Sequence, residues 1–250
     1  IINFLVKNIF RFRSTYYDYM ICSNKNPIFI ESFKKNFKIL ENKFILSGLP
    51  RNDFFYINGH IKKGDSSFKK KILYAPTFRV LEREENVDLF YKYSWDTAKI
   101  SNFLHEKNLE LFIRPHPHLK IPSKLFKEIN LFKNIIISDP LKSSPQEELM
   151  GTDFLITDYS GIYIDFLHLK RPIIMAPFDL DNFDRKEGLN YNYPEVTPNY
   201  KISNWIEFIN FNFDDLKFDK HHKRIFDYFD VYQDGNNSRR TFQKINKLFH

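Results

Sequence analysis

Short apolar runs alternate with helix-like segments along most of the chain, and residues 153–177 show this most clearly. Asp153–Ile156 is a short apolar run, Ile162–Leu169 has apolar residues at helical spacing, and Ile173–Ala176 is a second apolar run. Arg171-Pro172 ends the helical segment. This order predicts strand, turn, helix and strand, which is one parallel βαβ unit of minimum length.

The turn of this unit, Asp158-Tyr159-Ser160-Gly161, carries a small hydroxyl, a glycine and a carboxylate. It precedes a predicted helix, whose N-terminus has free N–H groups and the positive end of a dipole. Both suit a phosphate, so the turn is predicted to face a phosphate-containing ligand.

The same alternation continues outside this unit. Further strands are predicted at Tyr19–Cys22, Phe44–Ser47, Lys71–Tyr74, Leu109–Ile113 and Asn134–Ile137. Further helices are predicted at Ile1–Phe12, Pro27–Phe37, Pro50–Tyr56, Trp95–Glu106, Pro122–Ile129, Pro145–Met150, Ser203–Phe211, His221–Phe229 and Ser238–Phe249. The polar, lysine-rich stretch Asn58–Lys71 is the predicted linker. Alternating strands and helices indicate an α/β protein with a parallel sheet covered on both faces.

Chemically capable residues follow several predicted strands. Pro76-Thr77 comes after one strand, Arg114-Pro115-His116 after the next along the chain, and Ser160-Gly161 after a third. Parallel sheets bind ligands beyond the carboxyl ends of their strands. These residues are therefore expected to converge on one edge of the sheet.

Residues 114–118 read Arg-Pro-His-Pro-His, in which two prolines hold the backbone extended. Arg114 offers a planar fork of donors to phosphate oxygens. His116 suits a phosphate contact or proton transfer, the alternative being a histidine that only caps a loop. His118 lies farther from the strand end. No further Cys or His cluster completes a zinc-type ligand set, so no metal is expected.

Ser160 does not lie in a Gly-x-Ser-x-Gly nucleophile elbow. It is interpreted as a helix cap that also contacts phosphate. Asp165, about one and a half turns on, either faces the same cleft and accepts from a sugar hydroxyl or faces solvent. The chain has neither a P-loop nor a Gly-x-Gly-x-x-Gly motif, which argues against P-loop phosphoryl transfer and dinucleotide redox chemistry.

Charge is unevenly distributed. Residues 1–80 hold 15 Lys and Arg against 5 Asp and Glu, whereas the remainder holds 23 against 26. A basic first third suits an anionic polymer or membrane surface, or is simply a solvated face. No apolar run is long enough to span a bilayer, no secretory signal is evident, and Cys22, the single cysteine, is expected in a core. The chain begins with Ile1, so its natural start is expected to be missing or processed.

Several of these segments, in this order, resemble the CDP-glycerol glycerophosphotransferases, the primases and polymerases of teichoic acids and related capsular polymers. The matching segments are residues 48–53 (GLPRND), 72–79 (ILYAPTFR), 113–117 (IRPHP), 155–161 (LITDYSG) with Asp165, 171–174 (RPII) with Pro177, 188–191 (GLNY) and 234–235 (DG). The resemblance covers about residues 15–245.

The resemblance implies a GT-B-like fold, here one complete Rossmann-like parallel-sheet domain (66–250) plus the tail of a preceding, acceptor-side domain with its linker (1–65). It implies transfer of glycerol phosphate, or a similar polyol phosphate, from a CDP-activated donor to a hydroxyl of a lipid-linked or polymeric acceptor, with release of CMP. No cofactor is implied. The enzyme would be cytoplasmic and peripheral on the inner face of the cell membrane.

By motif position, the donor site would comprise a set of residues from both parts of the chain. They are Arg51, Pro76, Thr77, Arg114, Pro115, His116, Ser160, Gly161 and Asp165. Arg114 and the turn at Ser160 would hold the pyrophosphate, Asp165 would lie near the ribose or cytosine, and His116 would be one of the family's two important histidines.

This chain departs from the family pattern in two ways. Ser160-Gly161 stands where the family usually has Ser-Ser, and no Trp-His-Gly-Thr-Pro-Leu-Lys-like segment with the second histidine is present. The chain is therefore expected to bind donor weakly and turn over poorly. The alternatives are another GT-B nucleotide-sugar transferase or epimerase, or a non-catalytic module that binds anionic polymer or membrane. Nucleic-acid binding is disfavoured because no recognition motif or interleaved basic and aromatic stripe is present.

Overall fold

The computed structural model describes residues 18–57, 69–79, 88–116, 121–186, 188–189 and 191–249. The strands in these residues are β1 (Met20–Cys22), β2 (Phe44–Leu46), β3 (Lys70–Tyr74), β4 (Leu109–Ile113), β5 (Ile135–Ile137), β6 (Phe154–Thr157) and β7 (Ile173–Met175). The α-helices are α1 (Pro27–Phe37), α2 (Phe54–Ile57), α3 (Thr97–Glu106), α4 (Ser123–Ile129), α5 (Pro145–Met150), α6 (Ile162–Phe166), α7 (Leu180–Lys186), α8 (Tyr193–Val196), α9 (Trp205–Ile209), α10 (Lys220–Phe229) and α11 (Asn237–Phe249). Short 3₁₀ helices lie at Glu41–Lys43, Pro50–Asp53, Tyr91–Tyr93, Leu167–Leu169 and Phe213–Asp215.

Most predicted elements are confirmed. Every predicted strand is present with its ends within one residue of the prediction, and each predicted helix in the described residues is present as an α-helix or as an α-helix joined to a 3₁₀ turn. The predicted helix Ile1–Phe12 lies outside the described residues, as does most of the predicted linker. None of the described helices is both long and apolar enough to cross a bilayer.

The described residues form two compact units. The first contains 18–57, 191–196 and 226–249, and the second contains the described parts of 69–189 together with 197–225. The expected domain boundary near residue 65 lies outside the described residues and stays a prediction. Residues 226–249, which the prediction assigned to the Rossmann-like domain, group with the first unit.

The first unit is built on β1 and β2, which pair in parallel. Asn26 caps the intervening helix α1 by accepting a hydrogen bond from the Ile28 N–H at 3.0 Å, and Pro27 occupies its first position, where no N–H is needed. Cys22 is part of this small core, as predicted, and burial raises the pKa of its thiol to about 11. The thiol is therefore protonated at neutral pH and has a packing role.

A buried carboxylate starts the last helix of the first unit. Asp53 accepts hydrogen bonds from the N–H groups of Asn237, at 2.8 Å, and Ser238, at 2.7 Å, at the beginning of α11. Gly48 lies in the left-handed region (φ 78°), and a Cβ there would be 2.0 Å from Asn237 Oδ1. Glycine is thus required at this position both by conformation and by the close approach of α11.

The second unit contains a five-stranded parallel sheet with the order β5-β4-β3-β6-β7. All its pairs are parallel, and its strands are mostly apolar because both sheet faces are covered. Trp205 is fully buried on one face, where its indole N–H donates to the Leu89 carbonyl at 2.9 Å. The apolar core of this unit therefore packs against the faces of the sheet. The loops at the ends of the strands lie outside this core and can carry a functional site.

Candidate functional site

The strand order brings the predicted loops together. β3 is the central strand, and its residue Tyr74 pairs with Ile113 of β4 on one side and Ile156 of β6 on the other. The loops after β3, β4 and β6 therefore leave the same edge of the sheet side by side, as predicted. The chain order reverses direction across β3 and β6, which is the topological switch point where such sheets bind ligands.

The loop after β3 is fixed to the turn after β6. Pro76 is buried, and the next residue, Thr77, donates from its backbone N–H (2.8 Å) and its hydroxyl (2.7 Å) to Asp158 Oδ1. Thr157 donates from its hydroxyl to the Ala75 carbonyl at 2.6 Å. Thr77 therefore presents only its oxygen lone pairs to a ligand, because its hydroxyl hydrogen is used internally.

A buried arginine lies behind these two loops. Arg79, 2% exposed, forms a two-pronged bond with Asp179, from Nε to Oδ2 (3.1 Å) and from Nη2 to Oδ1 (2.7 Å). Its Nη1 donates to Asp158 Oδ2 at 2.6 Å and also to the Thr77 carbonyl. The cation thus holds segments from three loops, those after β3, β6 and β7.

Tyr159 packs against this cluster. Its hydroxyl donates to Asp179 Oδ1 at 3.1 Å, and its ring stacks on Phe183 with centroids 4.1 Å apart. The Arg79 guanidinium carbon lies 5.3 Å from the centroids of both rings. Burial and the two nearby carboxylates raise the pKa of Tyr159 well above its usual value. The phenol therefore stays protonated and acts as a donor.

Arg79 keeps its charge despite its surroundings. Burial alone lowers the pKa of the guanidinium, but the charges and hydrogen bonds of Asp158 and Asp179 outweigh it and raise that pKa. One cation with two carboxylates gives the cluster a formal charge of minus one. We name Arg79, Asp158 and Asp179 the edge cluster.

Arg114 has a carboxylate partner of its own. Its backbone N–H donates to the Tyr74 carbonyl at 2.8 Å, which fixes the start of the segment after β4. Its guanidinium, largely buried, forms an ion pair with Glu148 and donates to the Ser143 carbonyl at 3.0 Å. Pro115 is buried beside it. Glu148 thus orients the Arg114 side chain. The expected contact between Arg114 and a phosphate stays a prediction.

His116 is exposed at the carboxyl edge and lies against an aromatic ring. Its imidazole stacks on Phe78 with centroids 5.0 Å apart and an interplanar angle of 19°. Stacking fixes the plane of the imidazole relative to the loop after β3, which is what a proton-transfer or phosphate-binding histidine requires. His118 and Pro117 lie outside the described residues.

The turn after β6 begins α6 one residue later than the predicted cap. The cap position is Gly161, and the Ser160 hydroxyl accepts a hydrogen bond from the Ile162 N–H at 3.4 Å. A Cβ at Gly161 would meet no atom within 4 Å, so packing does not require glycine here. Asp165, on α6, is buried, 6% exposed, which excludes the solvent-facing alternative.

Arg51 belongs to the first unit, in the 3₁₀ helix Pro50–Asp53, where its side chain is exposed. The other predicted site residues all lie in the second unit. The part of the chain that the structure describes contains no group of three or more His, Cys, Asp and Glu arranged to hold a metal ion.

The sequence interpretation missed the edge cluster and Glu148. Arg79 and Asp158 lie inside the motif segments but received no role, and Asp179 and Glu148 lie outside them. The sequence did contain a signal for this cluster. Charged residues that directly follow buried parallel strands are expected to pair with one another at the edge of the sheet. Which residues pair across 79 or 100 positions is not visible in a local pattern.

Comparison with known proteins identifies the family. A family model described as CDP-glycerol:poly(glycerophosphate) glycerophosphotransferase matches residues 5–247. The chain belongs to this glycerophosphotransferase family. The resemblance that the motifs predicted is therefore confirmed.

Curated relatives of this glycerophosphotransferase family member are longer than the chain. The teichoic acid glycerol-phosphate primase of Bacillus subtilis (strain 168) is 29% identical over 96% of this chain and 61% of its own length. The teichoic acid ribitol-phosphate primase of Bacillus spizizenii is 29% identical over 73% of this chain and 46% of its own. The chain thus spans about half to three fifths of these relatives.

Solved structures confirm the fold class. The wall teichoic acid polymerase TagF has a TM-score of 0.70 and 24% identity, covering 98% of this chain and 62% of that one. The Staphylococcus aureus MnaA–UDP structure has a TM-score of 0.56 and 14% identity, covering 94% of this chain and 62% of that one. The family member is therefore α/β and GT-B-like, with a Rossmann-like parallel sheet in its second unit.

Proposed function

We propose that this chain is the donor-binding part of a transferase that moves glycerol phosphate, or a similar polyol phosphate, from a CDP-activated donor to an acceptor hydroxyl. The observation that carries the proposal is the convergence of Thr77, His116 and Ser160-Gly161 at the switch point of the sheet, in a member of the glycerophosphotransferase family. A structure of TagF soaked with CDPG supports a CDP-linked donor.

In the proposed reaction the acceptor hydroxyl oxygen attacks the β-phosphorus of the donor. The new P–O bond forms a phosphodiester, the bond to the bridging oxygen breaks, CMP leaves, and the acceptor proton passes to a base. Negative charge builds on the phosphoryl oxygens, so fixed donors around them lower the barrier. We assign this stabilising role to His116, to Arg114 and to the N–H groups and hydroxyl of the Ser160-Gly161 turn.

The remaining site residues bind the rest of the donor in this proposal. Pro76 and Thr77 line the pocket for the nucleotide, Pro115 fixes the backbone between Arg114 and His116, and Asp165 accepts hydrogen bonds from the ribose or cytosine. Arg51 contributes from the other part of the chain. The predicted domains, 1–65 and 66–250, remain part of the proposal, with the first belonging to an acceptor-side domain.

The proposal also covers partners and location. A lipid-linked or polymeric acceptor and an anionic membrane surface are supported by the basic excess of residues 1–80, because anionic lipids attract Lys and Arg. We propose that the enzyme is cytoplasmic and peripheral on the inner face of the cell membrane. The acceptor-side histidine is absent from this sequence, so we expect the chain alone to bind donor weakly and to turn over poorly or not at all.

Calorimetric titration of the chain with CDP-glycerol, CDP-ribitol and a UDP-sugar tests the donor class. We expect heat from the CDP donors, reduced in the His116→Asn variant and unchanged in the His105→Gln control. His105 is exposed at the end of α3, before β4, and so lies at the opposite edge of the sheet. Preference for the UDP-sugar would favour a nucleotide-sugar enzyme, which the MnaA–UDP likeness makes the second candidate.

A non-catalytic module would behave differently in the same preparation. It would give no heat with any nucleotide but would bind vesicles that contain anionic lipid, and that binding would survive changes at Arg114 and His116. Full polymerase activity of the 250-residue chain alone would contradict the expectation that it turns over poorly or not at all.

A further inference from the structure

Arg79 connects three loops that leave the carboxyl edge of neighbouring strands. β3, β6 and β7 are adjacent in the sheet, and Arg79 bonds to the Thr77 carbonyl, to Asp158 and to Asp179, which follow these strands in that order. A single planar guanidinium thus sets the relative positions of loops that have no backbone continuity.

Every carboxylate oxygen of the edge cluster has a donor. Asp158 Oδ1 accepts from Thr77 and from the Tyr159 N–H, the latter at 2.6 Å, and Oδ2 accepts from Arg79. Asp179 Oδ1 accepts from Arg79 and the Tyr159 hydroxyl, and Oδ2 accepts from Arg79 Nε. Such a fully satisfied polar network holds its members in one geometry.

Stability alone does not explain a buried network of this kind. Replacing a buried ion pair or triad by apolar side chains is often neutral or stabilising, because desolvation offsets the Coulomb attraction. A network retained in spite of this cost is better explained by the geometry it fixes. Here that geometry is the spacing between Thr77 and Ser160, since Ser160 follows Asp158 by two residues.

We propose that Arg79 is a positioning residue of the donor site, which sets the distance between the Thr77 loop and the Ser160-Gly161 turn and neutralises Asp158 beside the diphosphate. The inference rests on the proposed function. Arg79 itself, 2% exposed, does not touch the ligand. Its loss would leave two buried carboxylates without their cation next to an anionic donor. It would also remove the ionic link to the loop after β7 and leave the Thr77–Asp158 hydrogen bonds to fix the spacing of the two loops.

The test uses Arg79→Lys and a matched control, Arg171→Lys. Lysine keeps the charge but lacks the planar fork of donors with which Arg79 bonds both oxygens of Asp179 and one oxygen of Asp158. Arg171 is a half-buried arginine, and its Nη1 donates to the Met150 carbonyl, at 2.8 Å, and to the Thr152 carbonyl, before β6 at the opposite edge. Binding of CDP-glycerol is measured by calorimetry, and folding by thermal unfolding.

We expect Arg79→Lys to weaken CDP-glycerol binding about tenfold, or about 1.4 kcal/mol, because the guanidinium bonds that hold the Thr77 carbonyl, Asp158 and Asp179 in one geometry are lost. Arg171→Lys should stay within about twofold of the wild-type Kd even if its melting temperature falls. Amide exchange supplies a second readout, in which the Thr77 and Tyr159 N–H groups exchange faster in Arg79→Lys than in Arg171→Lys.

If Arg79→Lys does not fold, Asp158→Asn replaces it, because the amide oxygen can keep the bonds from Thr77 and the Tyr159 N–H while the Arg79–Asp158 ion pair is lost. A wild-type Kd in the folded variant, with unchanged exchange at Thr77 and Tyr159, would overturn the positioning role alone. Absence of CDP-glycerol binding by the wild-type chain would overturn the proposed function, and the inference with it.

Discussion

His222 joins α10 to β7, and its replacement by leucine should destabilise the second unit in a pH-dependent way. The imidazole is fully buried, with Nδ1 2.7 Å from Asp219 Oδ1 and Nε2 3.4 Å from the backbone nitrogen of Ile173. The carboxylate assigns the proton to Nδ1, so Nε2 accepts from the Ile173 N–H. β7 is the edge strand whose following loop carries Asp179.

At pH 8 the expected cost follows from the two lost bonds. Leucine leaves the Ile173 N–H buried without an acceptor and removes a hydrogen bond to a charged group. Together these should lower the free energy of unfolding by about 2–4 kcal/mol, less than the sum of the separate ranges because leucine recovers apolar contact. Asp219 keeps the His222 backbone N–H as a donor at 2.9 Å, so it is not left unpaired.

The pH dependence has a definite sign. Burial lowers the pKa of His222 below 6.5, with His221 acting in the same direction, although Asp219 opposes it. As the pH falls below 6.5 the unfolded chain takes up a proton that the folded chain does not, so the wild-type protein loses stability. His222→Leu has no such proton, and its deficit relative to wild type should shrink between pH 8 and 5.5. The carboxyl of Asp219, whose pKa is lowered from 3.8, does not contribute in this window.

Urea unfolding at several pH values, followed by tryptophan fluorescence, measures this difference. Trp95 and Trp205 are both buried in the second unit and report on its core. His105→Gln, at an exposed position, is the matched control and should follow the wild-type curve. A deficit of His222→Leu that stays constant or grows toward pH 5.5 would show that the neutral histidine is not what holds β7.

Three further predictions concern the carboxyl edge. Gly161→Ser should change stability by less than about 0.5 kcal/mol, because its Cβ meets no atom within 4 Å, and thermal unfolding checks this. Phe78→Leu should weaken CDP-glycerol binding to this chain about 2–10-fold by calorimetry, since stacking on His116 is worth about 0.5–1.5 kcal/mol. Glu148→Gln should tighten CDP-glycerol binding a few-fold if Arg114 contacts phosphate, because the isostere keeps one acceptor oxygen and removes a competing charge. An unchanged Kd would make Arg114 purely structural.

The strands were predictable because parallel sheets bury both faces of each strand. Residues 72–74 (ILY), 154–157 (FLIT) and 173–175 (IIM) are therefore continuous apolar runs. Their parallel direction also made the convergence of the three loops predictable, since carboxyl ends of parallel strands share one edge. The short helix α7 was missed because residues 180–186 are mostly polar and lack a helical apolar period.

The ion-pair and hydrogen-bond partners of individual side chains could not be predicted in the same way. Arg114 and Glu148 are 34 residues apart, and only the fold brings α5 to the end of β4. The sequence therefore indicated that Arg114 lies near the edge but not that a carboxylate would occupy it. Ser160 shows the same limit on a smaller scale, because the start of α6 moved by one residue and made Gly161 the cap.

The ion pairs at the carboxyl edge reduce the positive charge that the second unit offers to a diphosphate. Arg79 and Arg114 at its carboxyl edge are already paired with carboxylates, and the edge cluster has a formal charge of minus one. Helix α6 has only five residues, so its dipole is a weak substitute. In the proposed enzyme, we therefore expect much of the attraction to come from His116 and from N–H groups. Donor binding by the second unit alone should therefore be weak and should weaken further with salt, since exposed charges are screened at high ionic strength.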